Sequence, residues 1–205
     1  MSNFHKPVKR PGDVIELLQG SGDPAELGTL AHDTARALLH RVGESEDGEG
    51  VADVIAFADG GGIDELAELW SASGPETLPG ILWRLHLLRH VVRESPSAAA
   101  YRFRRGTEVD TVGQAIAGSP GTPGPDEVVE IATQILRGAF SGDSAAALER
   151  ASAFARVMAA GSQQLVASGG DEARVAEERT RLDGYRRLSA ELAAGARLWR
   201  SGELQ

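Results

Sequence analysis

The sequence predicts an all-α protein, in which an irregular, orthogonal N-terminal helical part packs against a C-terminal antiparallel three-helix hairpin bundle. Three observations predict this class. Apolar residues recur at three- and four-residue steps along most of the chain, Pro and Gly separate the resulting segments, and no useful stretch alternates as a strand would. With 205 residues the chain can bury a core without disulfides, and it contains no cysteine.

The N-terminal helical domain is predicted over residues 13–117, after a flexible basic arm at residues 1–12. The clearest helix start in this domain is at Asp23, which is followed by Pro24 in the first turn and by Glu26 three residues after the cap. This helix is predicted to run to about residue 42. The other helical segments predicted in this domain are 14–18, 51–58, 63–71, 80–93, 97–105 and 110–118.

A linker is predicted at residues 118–125, because GSPGTPGP contains three Pro and three Gly. The C-terminal helical domain follows at 126–201, or the whole chain forms one compact domain. Its three helices are predicted at 126–140, 144–167 and 171–200. The last helix carries a broad apolar stripe that needs either the N-terminal part or a second subunit to cover it: Leu182, Tyr185, Leu188, Leu192 and Trp199.

Composition favours a cytoplasmic protein with no membrane segment. The absence of cysteine fits a reducing compartment, and the longest apolar runs fall far short of the roughly 20 residues that span a bilayer. Arginine outnumbers lysine 19 to 2, and Ala and Gly are abundant, as expected for a high-GC bacterium.

The most distinctive stretch lies between Ile81 and Arg105, where six arginines accompany one acid, Glu94. Residues 13–78, by contrast, contain fifteen acids and two arginines. We expect these acids to pair with the arginines inside the protein. The alternative is a surface that binds a phosphate-bearing ligand or nucleic acid, with Trp83 as a further stacking group beside Arg84, Arg89, Arg93, Tyr101, Arg102, Phe103, Arg104 and Arg105.

His86 and His90 are four residues apart and would share one face of the 80–93 helix. Two imidazole groups on one face are part of a ligand set for zinc or iron. The segment lacks the Glu of the H-E-x-x-H motif, so no general base accompanies the pair. Candidates for a third ligand are on the helix that begins near Asp23: His32, Asp33 and His40.

No nucleophile elbow or phosphate-binding loop occurs in the sequence, and no cofactor is predicted. We therefore predict a non-enzymatic cytosolic interaction module that binds a second copy of itself, as a homodimer, or another protein. The alternative is the phosphate-ligand or nucleic-acid binding protein described above. A helical metal-dependent enzyme using His86 and His90 is the third interpretation.

Overall fold

The computed structural model of this protein describes residues 24–43, 62–119, 124–140 and 143–204. These residues form eight helices and no strand, so the all-α prediction is confirmed. In chain order the helices are α1 (Pro24–Gly43), α2 (Gly62–Ser71), α3 (Leu78–Glu94), α4 (Pro96–Thr107), α5 (Thr111–Ala117), α6 (Pro125–Phe140), α7 (Ser144–Ala167) and α8 (Glu172–Ser201).

Several predicted features lie outside the described residues. These are the basic arm, the helical segments at 14–18 and 51–58, the cap residue Asp23 and residues 120–123, which are half of the predicted linker. None of the described helices is both long and apolar enough to span a bilayer.

Three of the helices begin at an aspartate that the sequence placed at or next to their start. Asp110, Asp143 and Asp171 each accept a hydrogen bond from the backbone N–H three residues later, at 2.8, 3.2 and 3.3 Å. These bonds satisfy an N–H group that has no partner within the first turn of the helix.

Two helix starts near proline differ from the prediction. Thr77 caps α3, and its Oγ1 accepts from the Gly80 N–H at 3.3 Å, so the helix begins two residues earlier than expected. The predicted segment 97–105 begins one residue too late, because Ser95 occupies the cap position of α4 and Pro96 the first helical position. Proline suits that position, since its fixed φ is helical and its missing N–H would have no partner there.

The long Ala-rich helix α7 lies at the centre of the described structure. It contacts α3, α4, α5, α6 and α8, and it forms a helical hairpin with α8. Ala151 and Ala155 on α7 are fully buried, so neighbouring backbones approach it closely. At its middle, the ring of Phe154 packs against Phe103 of α4 with 4.9 Å between centroids.

Helix α4 crosses α7 at very short range because glycines occur on both sides of the crossing. A Cβ atom on Gly161 would overlap the carbonyl oxygen of Arg102, and one on Gly106 would overlap that of Val157. Only glycine permits this approach.

One hydrophobic cluster contains buried residues from all eight described helices. Helix α3 packs on α1, α2, α6 and α8, so residues on both sides of 118–125 share this core. Along α3, with the exception of Val91, which is 38% exposed, the apolar residues that recur at three- and four-residue steps are buried: Ile81, Leu82, Leu85, Leu88 and Val92. Val91 lines a cleft between α3, α4 and α8.

Candidate binding surfaces

The eight side chains of the predicted anion site do not share one surface. Three of the arginines lie on α3 and the other five residues lie on α4. Arg89 is only 4% exposed, and Phe103 is completely buried. Phe103 therefore offers no plane on which a base could stack.

Arg84 and Arg89 bond to other helices of the protein. The Arg84 Nε donates to Glu191 of α8 at 2.5 Å, and its Nη1 donates to the Gly80 carbonyl at 2.8 Å. The buried Arg89 Nε donates to Thr133 Oγ1 of α6 at 3.4 Å. These two guanidinium groups join α3 to α8 and α6.

Arg102 takes part in a buried network that joins three helices. Its Nε and Nη2 donate to the two carboxylate oxygens of Glu178 on α8, at 2.7 and 3.0 Å. Ser162 of α7 donates to the same carboxylate at 2.6 Å, and Arg181 donates to it at 3.5 Å. Both Glu178 oxygens are thus occupied by donors from within the protein.

The donors around Glu178 change its acidity. Burial alone would raise the pKa of Glu178, but the hydrogen bonds from Arg102 and Ser162 outweigh burial and hold the pKa below its ordinary value. Glu178 is therefore ionised at neutral pH although it is 8% exposed. Its charge balances that of Arg102.

The acids that pair with Arg84 and Arg102 lie on α8. We expected acids of residues 13–78 to neutralise the arginine-rich segment, and for these two arginines that expectation is wrong. Glu191 and Glu178 replace them because α8 packs along both α3 and α7. Arg105 has a local partner, Glu108, at 3.0 Å.

The most exposed members of the segment are Arg93, Tyr101 and Arg104. Tyr101 is 47% exposed, and the Arg104 guanidinium carbon lies 5.9 Å from the centroid of its ring. A guanidinium group over an aromatic face is a cation–π contact. This pair and Arg93 are the members of the predicted anion site that face solvent.

His86 and His90 stack on the same side of α3, with 5.9 Å between ring centroids. His86 is buried and also stacks on Trp83, whereas His90 is exposed. Within the described residues, no three side chains of His, Cys, Asp or Glu come together as a metal site would require. His32, a candidate third ligand, bonds through Nδ1 to the Gly28 carbonyl at 2.8 Å.

A cleft of about 460 Å³ opens between the corner of α3 and α4 on one side and α8 on the other; we call it the α8 cleft. Its apolar lining includes Leu87, Val91 and Leu188. Arg102 lines it from α4, and Tyr185 lines it from α8. The sequence places these residues in separate predicted elements, and only the packing of α8 against α3 brings them together.

A second surface is formed by the short helix α5 and the turn before it; we call it the α5 patch. Val109, Val112 and Ile116 are 57%, 65% and 45% exposed. The buried residues of α5 are Gly113 and Ala117, so its small residues face the protein and its large apolar residues face solvent. This reverses the usual arrangement of an amphipathic helix.

Both surfaces were missed at the level of the sequence. A signal for the α5 patch was present, because no charged residue occurs between Asp110 and Asp126. The sequence indicates the α8 cleft more weakly than the α5 patch. Gly184 lies inside a long predicted helix, where glycine is unusual, but a glycine at such a position has many causes.

No protein-family model, no curated protein and no solved structure matches this chain. The proposals below therefore rest on the geometry and chemistry of the chain itself.

Proposed function

We propose that this protein is a non-enzymatic, cytoplasmic interaction module that forms a homodimer through the α5 patch. The observation that supports this proposal is the reversed arrangement of α5, which exposes Val112 and Ile116 and buries Gly113 and Ala117. Exposed apolar side chains that are contiguous mark interaction sites, whereas single ones are ordinary. The cysteine-free composition supports a reducing compartment.

The charge distribution favours a second copy as the partner. The chain has a net charge of −9, so two copies repel each other through most surfaces. The exposed apolar side chains of the α5 patch are uncharged, and the two acids of the turn before α5 are each paired with an arginine, Glu108 with Arg105 and Asp110 with Arg156. Two copies can therefore meet there around a twofold axis without opposing unpaired like charges.

The α5 patch is also held rigidly. The Asp110 carboxylate accepts from the Gly113 N–H at 2.8 Å and from the Arg156 Nε of α7 at 2.6 Å. At the other end of the helix, the Arg150 Nη2 donates to the Ala117 carbonyl at 3.5 Å. A helix fixed at both ends loses little conformational entropy when it binds.

Substitution of Val112 by Glu tests the proposal. We expect the wild-type protein to be dimeric in light scattering and sedimentation, and Val112→Glu to weaken the dimer at least about tenfold, because a carboxylate would be buried without a partner. Val91→Glu is the matched control, since Val91 is also exposed but lies outside the α5 patch. A monomeric wild-type protein, or a dimer that Val112→Glu leaves intact, would contradict the proposal.

The second candidate function is binding of single-stranded nucleic acid, supported by the exposed pair of Arg104 and Tyr101. Under this interpretation, an oligonucleotide binds more weakly as salt increases, and Arg104→Glu abolishes binding while the circular dichroism spectrum stays unchanged. Arg179→Glu, at an exposed position of α8, is the control for the change in net charge. Binding that is insensitive to salt and to Arg104→Glu counts against this function.

A further inference from the structure

We infer that the α8 cleft binds a small carboxylic acid that has an apolar body. This goes beyond the proposed dimer, because the cleft and the α5 patch share no residue. The inference rests on the size and lining of the cleft, on the hydroxyl of Tyr185, on the Nη1 donor of Arg102, and on Gly184.

The size and lining of the α8 cleft suit a small molecule. Its volume of about 460 Å³ lies in the range of ligand sites, roughly 300–1,000 Å³. Leu87, Leu88, Val91 and Leu188 supply most of its apolar wall. An aliphatic chain or ring of a bound ligand would shield these side chains from water, and Val91 would no longer be exposed to solvent.

The Tyr185 hydroxyl is a polar group without a partner in this cleft. Tyr185 is only 6% exposed and lines the cleft. Within the described part of the chain its hydroxyl makes no hydrogen bond, and the oxygen is not fully buried. A nearly buried hydroxyl that has no hydrogen-bond partner gains a hydrogen bond when a bound ligand supplies an acceptor. Burial raises the pKa of Tyr185, so the group keeps its proton and can donate.

The unoccupied donor atoms of the cleft determine which chemical class of ligand fits it. Arg102 and Arg181 both line the cleft, and they share the carboxylate of Glu178, whose oxygens already accept donors. Arg102 bonds through Nε and Nη2, which leaves Nη1 as a donor within the described residues. The acid that lines the cleft, Glu94, is exposed, so water screens its charge. Arg181 bonds to Glu177 as well as to Glu178, so its guanidinium group is already occupied. The donors that remain in the cleft are the Tyr185 hydroxyl and the Arg102 Nη1, and a carboxylate is their complement.

Gly184 provides an argument for a bound ligand that does not depend on the charges around the cleft. A glycine inside a helix costs roughly 0.5–1 kcal/mol relative to alanine. Within the described residues, a Cβ on Gly184 would meet no atom within 4 Å, so packing in this chain does not require glycine there. Gly184 lines the α8 cleft, where the missing side chain makes room for a ligand.

Decanoate is the probe for this inference, with decanol and decylamine as comparators of equal chain length. By calorimetry with the full-length protein, we expect decanoate to bind at least about tenfold more tightly than either comparator. Gly184→Leu should abolish binding by filling the cleft, and Ala190→Leu, at an exposed position of the same helix, should leave it unchanged. Tyr185→Phe should weaken binding about five- to tenfold through the lost hydrogen bond, whereas Tyr101→Phe should have no effect.

The inference is overturned by any of three results. The first is that decanoate does not bind to the wild-type protein. The second is that decylamine or decanol binds as tightly, because an apolar cleft without selection for an anion would then explain the data. The third is that binding persists in both Gly184→Leu and Tyr185→Phe. Circular dichroism shows whether each variant is folded.

Discussion

Glycines within the last two helices differ in what a side chain at their position would meet. A Cβ on Gly161 of α7 would overlap the Arg102 carbonyl oxygen, and one on Gly195 of α8 would overlap the Ile81 side chain. At Gly184 of α8 the same atom would have open space. At the residue scale, packing explains two of these glycines, and the third has open space beside it in the α8 cleft.

Two variants that add the same methyl group separate these cases. Gly161→Ala should lower the free energy of unfolding by about 1–3 kcal/mol, because α4 must move away from α7. Gly184→Ala should raise it by up to about 1 kcal/mol, because alanine favours the helix and meets no neighbour. Urea unfolding at neutral pH measures both values. A Gly161→Ala variant as stable as the wild type would contradict the close approach of α4 to α7, and a destabilised Gly184→Ala variant would contradict the open space beside Gly184.

At the scale of elements, the Glu178 carboxylate holds α4, α7 and α8 together. It accepts two hydrogen bonds from Arg102 of α4 and one from Ser162 of α7. Arg102 belongs to the segment that the sequence marked as a possible anion site. Its partner could not be predicted, because Glu178 is 76 residues away and looks like any solvated acid on a helix surface.

The Glu178 network predicts a pH dependence of stability. Despite burial, the hydrogen bonds lower the pKa of Glu178 in the folded protein, so its contribution is complete above the ordinary value of 4.5 and is lost as pH falls through the lowered value. Glu178→Gln should cost about 3 kcal/mol at pH 7, because Arg102 remains buried without its counter-ion. The difference from wild type should shrink in urea unfolding as pH falls below about 4.

Glu177→Gln is the matched control for this measurement. Glu177 bonds to Arg181 from an exposed position, so its loss should cost less than about 0.5 kcal/mol. A cost of Glu178→Gln that is independent of pH would mean that the carboxylate is not the group that joins the helices.

At the scale of the whole molecule, α7 provides a common surface for helices from both halves of the chain. It contacts α4 and α5 from the predicted N-terminal domain and α6 and α8 from the C-terminal one. Trp70 of α2 and Leu192 of α8 belong to the same hydrophobic cluster. This arrangement favours the interpretation of one compact domain over two domains joined by a linker.

Cooperative unfolding tests that interpretation. Two variants in which the other tryptophans are replaced by Phe, one keeping Trp70 and one keeping Trp199, report on opposite halves of the chain. We expect the fluorescence midpoint in urea to coincide with the circular dichroism midpoint of the same variant, as in a two-state transition. Midpoints that differ between fluorescence and circular dichroism in either variant would favour two separately folding domains.

Local features of the sequence were sufficient to predict the described helices. Capping aspartates, glycine stops and apolar steps of three and four residues act over a single turn, and the structure confirms Asp110, Asp143 and Asp171. The misplaced start of α4 has a local cause as well, because Pro96 can begin a helix as well as end one.

The sequence by itself determined the all-α class, the helix boundaries to within a few residues and the existence of an unusual arginine-rich segment. Only the tertiary structure decided which groups two of its arginines bind, because the partners of Arg84 and Arg102 lie on α8, more than 70 residues away. The α8 cleft likewise exists only where α8 packs beside α3 and α4. Helix formation depends on neighbours within one turn, whereas ion pairs and clefts depend on which helix faces lie together after packing.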